Sequence, residues 1–282
     1  MLAHARNHAD RITRGFAASA LIVLALAVLA ASRVAAQEQA TESEGFGGFS
    51  AYFEMGPHVI VQRGRGSVGT NFDFSSRKAN YLTNMTIRFV AGVRGPALAE
   101  RYGRPRPVLY AGALVPLNES STIGTILRET SLFGTEQIDT SKYSIEYQTS
   151  AMAGIGIEFE VPIGDELMLL RAGLESLHLV SRYAGQAGLE INRQGVSEIH
   201  AVRAKADLTQ HFLGPALRAG TPTMCFRGVA IQFVLDASLL FDVAGTREKF
   251  RATGENGDRG DFSFETGKGL GQISAGLQLR WP

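Results

Sequence analysis

The chain has 282 residues, of which 28 are Lys or Arg and 27 are Asp or Glu, so its formal net charge is +1. Hydrophobic residues make up 45% and charged residues 20%, which excludes an intrinsically disordered chain. This balance provides no basic surface for nucleic acid, and a single cysteine, Cys225, excludes both a disulfide framework and a cysteine-rich zinc module. The composition predicts a folded domain that is rich in glycine, with 32 of them.

The N-terminal segment has the pattern of a secretory signal peptide. Three arginines precede an apolar run at 16–31, and small residues follow that suit cleavage after Ala36. The run is shorter than the ~20 residues that a membrane-spanning helix needs. We therefore expect a cleaved signal peptide at 1–36, a short polar linker at 37–45 and one folded domain at 46–282.

Eight segments of this domain alternate apolar and polar residues with a period of two. That period is typical of β-strands with one apolar face. In one clear case, Ile155 and Ile157 are apolar, whereas their neighbours Gly156 and Glu158 are not. The eight segments are 49–56, 86–94, 107–116, 150–161, 167–183, 199–219, 229–242 and 272–281.

Two of the segments are irregular. The segment at 167–183 loses its alternation near Leu177. In the segment at 199–219, we expect Gly214-Pro215 to interrupt the strand, because proline has no N–H to donate. His211 lies just before that break.

The connections between the segments differ in length. Three long ones, at 57–81, 117–144 and 244–267, fall at alternate positions along the chain and therefore at one end of an up-and-down sheet. Long connections at one end and short turns at the other are typical of outer-membrane barrels. We predict an all-β fold, an antiparallel up-and-down transmembrane β-barrel of about eight strands, with long connections that are exposed and dispensable for folding. Ten strands are the alternative, with an extra pair from 121–131 and 138–147.

Most of these strands have a polar face opposite the apolar face, and the residues on the polar face indicate that it lines a barrel interior and does not face water. They mix both charge signs with glycines, and glycines allow large side chains to fit beside them in a narrow lumen. Because eight strands enclose a space that side chains can fill, we expect the charges to pair and to plug the barrel. The predicted interior charge network consists of Glu54, Arg88, Arg94, Glu158, Glu160, Arg171, Glu175, Arg203, Lys205, Asp207, Asp236, Asp242 and Arg280.

The chain resembles the eight-stranded bacterial outer-membrane barrels in four features: the signal peptide, the eight alternating strands, the one set of long connections and the last strand that ends in an aromatic residue. That family includes the barrel of outer membrane protein A, and the resemblance, which is architectural, covers residues 45–282. It implies a monomer in the bacterial outer membrane, in contact with membrane lipid and lipopolysaccharide. It also implies that the barrel-assembly machinery reads the last strand through Ile273, Ala275, Leu277, Leu279 and Trp281.

Two short motifs have ordinary structural explanations. Gly64, Gly66 and Gly69 spell G-x-G-x-x-G, but no helix follows them, so we interpret them as a flexible surface loop and not as a nucleotide site. Arg259-Gly260-Asp261 falls in the last long connection, where we expect a solvated loop, with integrin binding as the alternative. His178 and His200 are expected near the outer rim, whereas we predict that His211 faces inward as a hydrogen-bonded side chain near the periplasmic end.

We predict a non-enzymatic integral outer-membrane protein with an envelope-structural or surface-interaction role through its long extracellular loops. The first alternative is a small passive porin for solutes or lipids. The second is an outer-membrane lipid-modifying enzyme, in which His211 would pair with an acid on a neighbouring strand to activate a hydroxyl. We expect no cofactor and no metal ion.

Overall fold

The computed structural model describes residues 48–281 apart from short gaps at 73, 100–102, 118–119, 133–134, 164–165, 194–195, 244–246 and 255–256. The predicted signal peptide and linker lie outside the described residues. Twelve strands lie within them: β1 (Ser50–Thr70), β2 (Ser75–Arg94), β3 (Arg106–Pro116), β4 (Ser121–Leu132), β5 (Thr135–Tyr147), β6 (Ser150–Ile163), β7 (Glu166–Arg193), β8 (Val196–Gly220), β9 (Met224–Phe226), β10 (Val229–Asp242), β11 (Arg247–Thr253) and β12 (Arg259–Trp281). None of the described segments is a helix long and apolar enough to cross a membrane.

Eight of the strands close a ring in which every pair of neighbours is antiparallel. The ring runs β1, β2, β3, β6, β7, β8, β10 and β12. β12 then pairs with β1, from Ala51 opposite Trp281 to Thr70 opposite Gly260. This closed antiparallel sheet confirms the predicted all-β, eight-stranded barrel.

The remaining strands lengthen the ring and do not widen it. β5 pairs with β7 directly beyond β6, because Ala151 of β6 lies opposite His178 and Tyr147 of β5 lies opposite Ser181. β4 pairs with β5, and β11 pairs with β12 beyond β10. The segments that suggested ten strands are therefore continuations of β3 and β6, and the ten-strand alternative is wrong. At the opposite end, β9 forms a short hairpin with β10.

The three long connections are mostly paired strand, so their prediction as loops was wrong. Of the first predicted connection, 57–81, only residues 71–74 lie outside β1 and β2. The apolar stripe of these strands is weak in the sequence because glycines occupy some inward positions. A Cβ atom at Gly64 would collide with Leu82, and one at Gly66 would collide with Tyr143. These glycines make room for large neighbours inside the barrel, and G-x-G-x-x-G belongs to β1 and not to a loop.

The lower half of the barrel, where β1 begins and β12 ends, is apolar outside and charged inside. Glu54, Arg88, Arg171, Glu175 and Arg218 point inward, and each is at most 5% exposed. The outward residues form an apolar belt that includes Ile155, Leu217, Phe233, Leu235 and Ile273, each at least 56% exposed.

The upper half has the opposite polarity. Its interior is an apolar core in which Tyr143, Tyr183, Phe262 and Phe264 are at most 1% exposed. Tyr183 stacks on Phe264 with ring centroids 4.4 Å apart. On the outside of this half, polar and charged side chains of β7 and β8 face the solvent. The upper half is thus built like a water-soluble barrel, whereas the lower half is built like a membrane-spanning one.

β8 shows the reversal along a single strand. Its even-numbered residues point inward throughout, from buried Leu208 and Phe212 to buried Arg218. Its outward residues change from polar Thr209 to exposed apolar Leu213. The strand continues through Gly214-Pro215, which pairs with β7, so the predicted break was wrong. The loss of alternation near Leu177 of β7 marks the same change of polarity.

Candidate functional site: the charged interior

The lower half of the barrel contains a central cluster of three arginines and three carboxylates: Glu54, Arg88, Arg171, Glu175, Arg218 and Asp236. Arg88 reaches across the lumen from β2. Its guanidinium lies 3.2 Å from Glu54 Oε1, 3.3 Å from Glu175 Oε2 and 2.7 Å from Asp236 Oδ2. One arginine thus links β1, β7 and β10 to β2.

Arg218 holds the other side of the cluster. Its Nε and Nη2 donate to the two carboxylate oxygens of Asp236 at 2.6 and 2.9 Å, a bidentate geometry. Its Nη2 also lies 2.5 Å from Glu54 Oε2. Glu54 therefore has two arginine partners, Arg88 and Arg218, and Asp236 has a third in Arg171, at 3.6 Å. The three arginines of the cluster match its three carboxylates in charge.

Tyrosine rings surround the third arginine. Arg171 Nη1 donates to the hydroxyl of Tyr52 at 2.9 Å, and its guanidinium lies 4.7 Å from the centre of the Tyr110 ring. Tyr110 in turn donates to Glu175 at 2.9 Å. Glycine makes room for these rings, since a Cβ atom at Gly154 would collide with the ring and hydroxyl of Tyr110.

Neutral polar side chains form a layer directly above the central cluster. His58 Nδ1 lies 2.8 Å from Thr86 Oγ1, and its Nε2 lies 2.6 Å from Gln272 Oε1. Gln210 donates to Thr266 at 2.6 Å. This layer separates the charges of the lower half from the apolar core of the upper half.

A second charged group, the lower cluster of Arg94, Arg104, Glu158 and Glu160, lies nearer the lower end. Arg94 Nε lies 2.6 Å from Glu158, and its Nη2 donates to Glu160 at 2.9 Å. Arg104 Nη1 lies 3.6 Å from Glu160 and is half exposed. The ion pairs thus continue to the lower mouth of the barrel.

The space left between these side chains is very small. One cavity beside Arg88, Glu175 and Ser274 has a volume of about 10 Å³. A second, beside Tyr110 and Arg171, also has about 10 Å³. Each has room for about one water molecule.

The structure places the predicted interior charges in three groups. Arg280 and Asp242 occupy inward positions of β12 and β10 but are partly exposed. Arg203, Lys205 and Asp207 point outward into solvent, so their prediction as interior residues was wrong. They lie in the upper half, where the polar face is the outer face. The remaining eight residues point inward and form ion pairs: Glu54, Arg88, Arg94, Glu158, Glu160, Arg171, Glu175 and Asp236.

Arg106 and Arg218 are also buried inside the barrel, although they are not among the predicted interior charges. Arg218 follows Gly214-Pro215, where the strand was expected to end. Arg106 directly precedes a segment that is apolar on both faces. The period-two alternation could have identified them, because each lies an even number of positions from an inward residue of the same strand and therefore faces inward too.

Outside the lumen, two exposed pairs lie on β7 and β8. Arg182 Nε donates to Asp207 at 2.7 Å. His178 Nδ1 and His211 Nδ1 lie 3.2 Å apart, so the prediction that His211 faces inward near the periplasmic end was wrong. Partial burial and the neighbouring His211 lower the pKa of His178.

At the upper end, His200 lies between two carboxylates. Its Nδ1 lies 2.9 Å from Asp258 Oδ1, and its Nε2 lies 3.1 Å from Glu198 Oε1. Phe72 stacks on the same imidazole with ring centroids 5.3 Å apart. The hydrogen bond to Asp258 raises the pKa of His200, with a smaller contribution from Glu198.

Arg259-Gly260-Asp261 belongs to a paired strand and not to a loop. Gly260 lies opposite Thr70 of β1 and Ala252 of β11. Arg251 Nε donates to the Asp261 carboxylate at 2.7 Å. A regular strand does not present the tripeptide at the tip of a turn, so the expected solvated loop was wrong.

The predicted assembly signal lies on β12. Ile273 and Trp281 are outward and exposed, and Ala275, Leu277 and Leu279 occupy the outward positions between them.

Cys225 is exposed in β9, beside the lower end of the ring. Among the described residues, no three His, Cys, Asp or Glu side chains lie close enough together to hold a metal ion.

No family model matches the chain, and neither does any curated protein. Among solved structures, the attachment invasion locus protein Ail of Yersinia pestis has a TM-score of 0.23 and 13% identity over 80% of this chain and 99% of that one. Neisserial surface protein A has a TM-score of 0.25 and 11% identity over 83% and 98%. The outer membrane protease OmpT from Escherichia coli has a TM-score of 0.21 and 9% identity over 85% and 99%. Likeness at this level does not indicate a shared activity.

Proposed function

We propose that this chain is a bacterial outer-membrane protein whose lower half spans the membrane and whose upper half projects from the cell surface. Its role is structural or surface-interacting and not catalytic. The observation that carries the proposal is the reversal of polarity between the two halves. An apolar belt around charged side chains suits lipid, and a polar surface around an apolar core suits water.

The dimensions of the belt support a membrane position. On β10, the outward apolar run extends from Ile231 to Phe241, a span of eleven residues. A tilted membrane-spanning strand needs about 9–11 residues. Because the sheet is closed, its backbone groups pair with one another and are not exposed to lipid.

The orientation follows from the two ends of the barrel. Outer-membrane barrels have short periplasmic turns and longer extracellular segments. Here the strands extend far beyond the belt only in the upper half, as the 28-residue strand β7 shows. The lower end, with the beginning of β1 and the end of β12, therefore faces the periplasm after export by the predicted signal peptide.

The central cluster supports a plugged barrel. Its arginines and carboxylates bind one another across the lumen, and the cavities beside them are no larger than a water molecule. A carboxylate held by two arginines is a poor general base, because the ion pairs stabilise its charged form. These contacts favour a structural role for the charges over transport or catalysis.

The proposed partners follow from the two surfaces. The apolar belt would contact membrane lipid, and the polar surface directly above it would contact lipopolysaccharide. The outward residues of β12, including Ile273 and Trp281, would be read by the barrel-assembly machinery. We propose that the protein acts as a monomer, since the closed ring needs no second chain to cover a strand edge.

Cysteine labelling in intact cells tests the topology. In a Cys225→Ser background, Arg203→Cys on the outer face of β8 should react with a membrane-impermeant maleimide. The matched variant Leu217→Cys lies on the same strand and face but within the belt, and should stay unlabelled. The native Cys225 should react only after the outer membrane is permeabilised. Labelling of Leu217→Cys, or of Cys225 in intact cells, would contradict the proposal.

Conductance tests the plugged lumen. The refolded mature protein in a planar bilayer should show no stepwise channel openings. Reproducible openings in the wild-type protein would make passive transport the better account of its function.

A further inference from the structure

The outer face of the barrel carries a pair of histidines at the junction of its two halves. His178 of β7 lies directly opposite His211 of β8, where the two strands are antiparallel neighbours. The two Nδ1 atoms lie 3.2 Å apart, and the ring centroids lie 4.6 Å apart. His211 is exposed and His178 is partly exposed, so water reaches the pair.

The separation of the nitrogens suits a shared metal ion. Transition metals bind imidazole nitrogen at about 2.0–2.1 Å. Two such nitrogens on one ion lie about 2.9–3.4 Å apart for angles between about 90° and 110°. The two Nδ1 atoms are within hydrogen-bond distance of each other, so one of them carries the shared proton. A metal ion would displace that proton to Nε2 or to solvent and take its place between the two Nδ1 atoms. We propose that His178 and His211 form a surface site for a divalent transition metal such as Zn²⁺, Ni²⁺ or Cu²⁺.

The surroundings of the pair indicate how such a site would behave. Arg182 and Asp207, the nearest charged side chains on the same outer face of the two strands, form an ion pair with each other. Water would complete the coordination, because no cluster of three ligating side chains lies among the described residues. The ion should therefore bind reversibly and exchange with the medium. The rigid ladder between β7 and β8 holds the two ligands in place, which lowers the entropic cost of binding.

Calorimetric titration of the refolded barrel with ZnCl₂ tests the site. The protein must carry no polyhistidine tag. Wild type should bind one equivalent of Zn²⁺. His178→Ala and His211→Ala should each weaken binding about tenfold or more, because the second ligand no longer acts at a high effective concentration. The matched control His200→Ala, which removes another surface histidine, should bind as wild type does. Heat-modifiable gel mobility should show that all three variants fold.

Electron paramagnetic resonance with Cu²⁺ provides a second readout. Wild type should show coordination by two imidazole nitrogens, and His211→Ala by one at most. Undiminished binding in both single variants would overturn the proposal. Loss of binding in His200→Ala, or a wild-type spectrum without paired imidazole nitrogen, would do so as well.

Discussion

Arg88 is the residue on which the lower interior most depends. It contacts three carboxylates from three other strands and is only 2% exposed. Removal of one partner of a buried ion pair leaves an uncompensated charge in a place that water does not reach. The stability of the barrel should therefore depend more on Arg88 than on any exposed arginine.

Arg88→Ala should lower the free energy of unfolding by about 3–5 kcal/mol. Arg203→Ala is the matched control, because Arg203 faces solvent and a surface change costs about 0.5 kcal/mol or less. Urea unfolding of the refolded proteins in detergent micelles measures both. Equal losses would mean that Arg203 lies in the interior network after all.

His200 should titrate above its ordinary range, since Asp258 raises its pKa. A raised folded-state pKa means that the ion pairs contribute stability below the unfolded pKa of about 6.5. That contribution is lost as the pH rises through the folded-state pKa. The midpoint of the His200 ring signal in a nuclear magnetic resonance titration should exceed ~6.5. It should fall in Asp258→Asn, and an unchanged midpoint in that variant would contradict the assigned contact.

At the scale of single strands, glycine placement separates what the sequence could predict from what it could not. In the lower half, apolar residues such as Ile155 alternate with inward glycines and charges, so strand and facing are readable. In the upper half, the inward residues of β1 include Gly64 and Gly66, which accommodate large neighbours and interrupt the apolar stripe. The polar residues of β8 also change face between Thr209 and Leu213. A rule that assigns every polar face to the lumen therefore fails there, although the period of two persists.

Glycines that face a ring should resist substitution, and glycines that face open space should not. Gly154→Ala would push a methyl group into Tyr110, whose hydroxyl is bound to Glu175. We expect a loss of about 1–3 kcal/mol in unfolding free energy. At Gly271, a Cβ atom meets nothing within 4 Å, so Gly271→Ala should be close to neutral. Parallel urea unfolding curves measure the difference, and similar costs at the two positions would contradict the packing described for the lumen.

At the scale of the whole molecule, one continuous sheet serves two environments. Closure of the ring satisfies the backbone throughout, so only the side chains must change where the barrel leaves the lipid. The change is abrupt on β8, because His211 is the last polar outward residue and the outward residues that follow it, from Leu213 to Ala219, are apolar. The proposed function depends on this boundary, since it determines which half is in the membrane.

A spin-label accessibility scan of the outward residues of β8 tests this boundary most directly. Single cysteines replace alternate residues from Arg203 to Ala219 in a Cys225→Ser background, and the refolded proteins are placed in lipid bilayers. Collision with oxygen, which concentrates in lipid, and with a water-soluble relaxation agent is measured at each position. The structure predicts water exposure down to His211 and lipid exposure from Leu213 onward. Uniform exposure to water along the whole strand, or a crossover far from these two residues, would contradict it.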